Sequence, residues 1–81
     1  MKTFHLTVAK VGENLFDGEA EFVTLPGVEG NFTVLAHHEP FVSELKAGEL
    51  KIKDAEGKAH ALHVADRGIA EVSNNPATVL L

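Results

Sequence analysis

Apolar and polar residues alternate along most of this chain. In "FHLTVAK", Phe4, Leu6 and Val8 fall on one side of an extended backbone and His5 and Thr7 on the other, because successive side chains of a strand point to opposite faces. The pattern predicts a half-buried strand. "EAEFVTL" repeats it, with Ala20, Phe22 and Thr24 on one face and Val23 and Leu25 on the other. In "NFTVL", Phe32 and Val34 share a face. In "KAHALHVA", Ala59, Ala61 and His63 face opposite to His60, Leu62 and Val64. "FVSEL", "ELKIK", "RGIAEV" and "ATVLL" complete the set. No helical period of useful length occurs. The alanine-rich run "KDAEGKAHALHVADRG" is interrupted by a turn at Asp54–Gly57 and returns to period two.

Glycine, proline, asparagine and aspartate punctuate the extended runs: "GEN", Asp17-Gly18, "PGVEG", "AHHEP", Ala47-Gly48, "DAEG" and "SNNP". Turn signals spaced about 8–12 residues apart point to an all-β sandwich or barrel. The expectation is an all-β, two-sheet β-sandwich of about nine to ten short strands. Without a linker, low-complexity run or internal repeat, residues 1–81 read as a single domain.

Composition narrows the chemistry. With no cysteine, neither a disulfide framework nor a thiolate metal site is possible. A net charge of −5 disfavours nucleic acid and anionic lipid as partners. The N-terminal run alternates, unlike a signal peptide, and no stretch approaches the roughly 18 apolar residues of a membrane helix. Five histidines raise the question of a metal. His37 and His38 are neighbours in a loop, where side chains diverge. His60 and His63 lie on opposite faces of a strand. Ser43 and Ser73 sit outside any nucleophile elbow. Glu19 and Glu21 read as a solvated strand face rather than an acid–base pair. No helix follows Gly27 and Gly30 to make a phosphate loop. Without Trp or Tyr there is no stacking platform. The expectation is no catalytic, cofactor-binding or metal-binding residue. What stands out is two glycine- and histidine-bearing polar loops on a β scaffold, the kind of place where binding residues tend to sit. A stand-alone ligand- or metal-binding β-domain is the alternative.

Several short motifs occur in a distinctive order: "FDGE" at 16–19, "LPGVEG" at 25–30, "HEP" at 38–40, "LKAG" at 45–48 and "EVSN" at 71–74. From about Phe4 to Leu80 the chain resembles the N-terminal β-sandwich domain of the epsilon subunit of F-type ATP synthases. It departs from the usual family pattern in places. Asn31 stands where an acid is usual, Ala36-His37-His38 where Pro-Gly-His is usual, and Arg67-Gly68 where a glycine pair is frequent.

The resemblance implies a non-catalytic subunit of the central stalk. Such a subunit binds gamma and the polar loops of the c-ring and helps couple proton-driven rotation to ATP synthesis. It is peripheral to the cytoplasmic face of the inner membrane through the complex. The loop matching Glu29, Gly30 and Asn31 and the loop matching His38 would face the c-ring or gamma. Phe41 and Val42 would contribute most if they are exposed, because apolar anchors dominate interfaces. Typical members continue into two C-terminal helices that inhibit hydrolysis. The chain is expected to be a short form that couples the stalk without that inhibition.

Overall fold

The computed structural model describes residues 2–37, 39–73 and 75–81. Among them lie six strands: β1 (Phe4–Lys10), β2 (Glu13–Gly27), β3 (Gly30–Leu35), β4 (Phe41–Asp54), β5 (Ala59–Val72) and β6 (Ala77–Leu80). They make one sheet in the order β1-β6-β5-β4-β2-β3, and β1 pairs with β2 as well. The strands β1, β6, β5, β4 and β2 therefore close into a ring, with β3 added to β2 as the second arm of a hairpin. Closure removes most of the open edges that a flat sheet would expose. Within the ring the first and last strands run parallel, Leu6 beside Ala77 and Val8 beside Val79.

The all-β expectation holds. The division into nine to ten short strands in two separate sheets does not. Three long strands, of 15, 14 and 14 residues, replace the short ones. Asp17-Gly18, expected to be a turn, lies inside β2, opposite Thr7 and Leu6 of β1. Ala47-Gly48, also expected to be a turn, lies inside β4, where the pairing with β5 shifts between Lys46 and Gly48. A bulge bends a strand without ending it, and it attracts the same residues as a turn. The "KAHALHVA" and "RGIAEV" segments are likewise one strand, β5.

The alternation of β1 survives intact: Phe4, Leu6 and Val8 are buried. So does that of β5, with Val64 buried and Ala59, Ala61 and His63 exposed. In β2 Val23 and Leu25 share the buried face and Phe22 and Thr24 the other, as expected, but Ala20 departs from the expected assignment. Ala20 and Val23 both point into the core, whereas Phe22 points out of it. The pairing with β4 shifts between Ala20 and Phe22, and one inserted residue reverses every side chain beyond it. Leu6, Leu25, Leu45, Leu50 and Ile52 are the largest fully buried side chains, and no polar or charged residue among those described is buried. The β4–β5 turn is fixed by Asp54, whose Oδ1 accepts the backbone N–H of Glu56 (2.9 Å) and of Lys58 (2.8 Å). Such a side chain mimics a backbone turn.

Candidate functional site

The "LPGVEG" segment makes the tight end of the β2–β3 hairpin. Gly27 pairs with Gly30 across Val28 and Glu29. Gly30 has φ 128°, which favours glycine. Gly27 is required for space: a Cβ there would lie 2.7 Å from the Gly30 carbonyl oxygen and 2.9 Å from the Phe32 ring. The hairpin tip is tied to β4, since the Val28 N–H donates to the Glu44 carbonyl (3.1 Å). Phe32 and Phe41 meet edge to face, with centroids 5.5 Å apart and planes at 74°. This is a favoured aromatic geometry, and it sets the start of β4 beside the hairpin.

The result is an open groove of about 590 Å³ between the hairpin tip and the first residues of β4. Five of the six residues expected at the contact line it: Glu29, Gly30, Asn31, Phe41 and Val42. The sixth, His38, lies outside the described residues. Val42 is 67% exposed and Val28, at the hairpin tip, 49%. Phe41 is half-buried and packs against the core.

A second groove, of about 520 Å³, adjoins the first and shares Val28 and Glu44 with it. Its floor includes Leu45 and Gly68, and its walls include Ile69 and Leu80. Sequence reasoning missed Ile69 and Leu80. Glu44, Ile69 and Leu80 lie directly opposite one another across β4, β5 and β6, so they share one face. Ile69 is 47% exposed and Leu80 55%, whereas their small neighbours Ala70 and Val79 are buried. A large apolar residue placed outward beside a small one placed inward was the available signal. Val28, Val42, Ile69 and Leu80 thus form an apolar group at one end of the molecule, edged by Glu29, Glu44, Lys46 and Arg67.

Several of the polar side chains singled out in the sequence are engaged in structure. Ser43 Oγ donates to the Glu44 carbonyl (3.2 Å) and Ser73 Oγ to the Pro76 carbonyl (3.1 Å). Glu19 bonds Thr3 and His5, while Glu21 pairs with Lys53. His60 bonds Asp54 at 2.8 Å and stacks edge-on to Phe16. The His60 bond, followed by the Lys58 N–H, holds the Asp54 carboxyl below its ordinary value of 3.8. His60 is half-buried and His63 is exposed on the other face. Among the described residues, no group of three potential ligands is placed to hold a metal ion, and no helix is long and apolar enough to cross a membrane.

The described residues thus form a small closed sheet that carries an apolar, charge-edged surface at the β2–β3 hairpin end. The chain belongs to the family described as the ATP synthase delta/epsilon chain, beta-sandwich domain, whose model matches residues 3–81. It is 40% identical over 80 residues to the ATP synthase epsilon chain of Delftia acidovorans, covering 99% of this chain and 57% of the relative. It is 41% identical over 80 residues to that of Bordetella petrii, covering 99% and 56%. The chain thus spans little more than half the length of these curated relatives. In three dimensions it resembles a chain in the cryo-EM structure of the Euglena gracilis mitochondrial ATP synthase OSCP/F1/c-ring. The TM-score is 0.88 at 25% identity, covering 96% of this chain and 49% of that one. A chain of the Tetrahymena thermophila central stalk/c-ring structure shares the fold, with a TM-score of 0.77 at 15% identity, covering 98% of this chain and 63% of that one.

Proposed function

We propose that this chain serves as the epsilon subunit of an F-type ATP synthase. In that role it is a non-catalytic part of the central stalk. It binds gamma and the polar loops of the c-ring, and it helps couple proton-driven rotation to ATP synthesis at the cytoplasmic face of the inner membrane. The observation that carries this is the pair of adjoining grooves at the β2–β3 hairpin end, in a chain matching the epsilon-chain family over residues 3–81. A part that transmits torque needs a stiff body and a broad contact. The closed sheet supplies the first. Stable contacts bury on the order of 1,200–2,000 Å², more than one groove offers, so the two grooves act together. Val42, Val28 and Phe41 supply apolar anchors, while Glu29 and Asn31 at the rim govern orientation and association rate.

Cysteine pairing tests the c-ring contact. Glu29→Cys, in a chain with no native cysteine, should form a disulfide with a cysteine placed in the c-ring polar loop of the assembled enzyme. Val11→Cys, on the exposed β1–β2 turn, should not. Equal yields from both positions would contradict the orientation.

A further inference from the structure

His5 stands on the outer face of β1, the strand whose pairing with β2 closes the ring. Both of its ring nitrogens face a carboxylate of β2: Nε2 lies 2.6 Å from Asp17 Oδ1 and Nδ1 lies 3.3 Å from Glu19 Oε2. A neutral imidazole has one N–H, so it would turn a lone pair towards one of the two carboxylates. Only the imidazolium donates to both. The carboxylates are themselves held: Thr3 Oγ1 donates to Glu19 Oε1 (3.0 Å) and Thr7 Oγ1 to Asp17 Oδ1 (3.4 Å). The backbone N–H of His5 donates to Asn75 Oδ1 (3.0 Å). One residue therefore joins β1, β2 and the connection between β5 and β6. From β6 the neighbours of β1 are Ala77, Thr78, Val79 and Leu80, none of them titratable. The charged groups of the cluster among the described residues are thus His5, Asp17 and Glu19.

We propose that His5, Asp17 and Glu19 form a pH-sensitive clasp on the barrel closure, shut while the imidazole keeps its proton and loosened at the N-terminal half of β1 when the proton leaves. The clasp is independent of the stalk assignment, since it concerns the fold alone. The Asp17 hydrogen bond is the largest influence on His5. With the bond from Glu19, it outweighs desolvation and raises the His5 pKa above its ordinary 6.5. A group whose pKa is raised on folding contributes its full stability below the unfolded value and loses it as pH climbs through the folded value. The clasp therefore weakens on the alkaline side of 6.5. The three side chains are 44%, 52% and 49% exposed, so salt screens the clasp.

Nuclear magnetic resonance on the 81-residue chain tests it. The His5 ring titration is followed together with amide-exchange protection, corrected for the intrinsic rate, from about pH 6 to about pH 8.5. His5 should titrate above 6.5. Protection of Leu6 and Val8 relative to Leu50 and Val64 should fall about threefold or more across that range. The fall should shrink in high salt. In His5→Gln, and in the Asp17→Asn, Glu19→Gln double variant, the relative protection should stay flat. Because these side chains are exposed, the variants should still fold. A His5 pKa at or below 6.5, a flat ratio in the parent chain, or the same fall in His5→Gln would overturn the clasp.

Discussion

Gly48 of β4 lies under the ring of Pro26 of β2: a Cβ at Gly48 would sit 2.9 Å from Pro26 Cβ and 3.4 Å from Cγ. Both residues belong to irregular stretches. The β4–β5 pairing shifts between Lys46 and Gly48, and the β2–β4 pairing shifts between Thr24 and Gly27. Proline has no N–H to donate and is tolerated in a sheet where the ladder is interrupted. The two irregularities fit into each other, and together they let β2 and β4 bend as the sheet closes.

Gly48→Ala therefore overpacks this crossing. Gly48 does not occupy the left-handed region, so the effect comes from contact alone. Stability should fall by about 1–3 kcal/mol, read from urea unfolding. Gly27→Ala should cost more, because the obstructing atom at 2.7 Å is the backbone oxygen of Gly30 and cannot rotate away.

The sequence pattern made much of this fold legible, for local reasons. β1 and β5 show their buried faces in plain alternation, and the "PGVEG" hairpin follows from its two glycines. What stayed hidden depends on partners far along the chain. Nothing near Leu6 announces that Ala77 will lie beside it in parallel. Gly48 looks like a turn because bulges and turns need the same residues, whereas Asp17-Gly18 has a turn-like composition but sits in regular pairing with Thr7 and Leu6 of β1. The bulge near Glu21 put Ala20 on the buried face with Val23, a one-residue effect that periodicity cannot foresee. At the candidate site, Glu29, Gly30, Asn31, Phe41 and Val42 came from family resemblance and from their place near the loops. The structure brings these five to one groove. Ile69 and Leu80 escaped because each alternates with another apolar residue, so the pattern alone does not say which one faces water.

Leu50 is fully buried in β4, opposite Leu62 of β5. Leu50→Ala should cost about 2–5 kcal/mol through lost burial and a residual cavity. Denaturant unfolding should show a lower midpoint with an unchanged slope.

Asp54 should set part of the acid limit of stability. Its pKa is lowered on folding, first by the His60 bond and then by the Lys58 N–H. A carboxyl of this kind stabilises above its unfolded value of 3.8 and loses that contribution as pH falls through the folded value. Asp54→Asn should destabilise the chain at neutral pH, and the deficit should narrow below pH 3.8. Thermal melts at several pH values check this. A deficit that stayed constant down to the lowest pH would remove the carboxylate from the explanation.

Val42 is 67% exposed on the groove, so Val42→Asp should change stability by no more than about 0.5 kcal/mol. Val11, 99% exposed at the β1–β2 turn, offers a matched control away from the groove. Urea unfolding of the two aspartate variants should give midpoints close to that of the parent chain.

The stalk assignment is tested most directly by calorimetric titration of the chain into the gamma subunit from the same source. One-to-one binding with a Kd below about 1 μM is expected. Val42→Asp should weaken it by about tenfold or more and Val11→Asp should leave it unchanged. No binding at tens of micromolar by a chain shown to be folded, or equal loss in both variants, would contradict the docking surface described above.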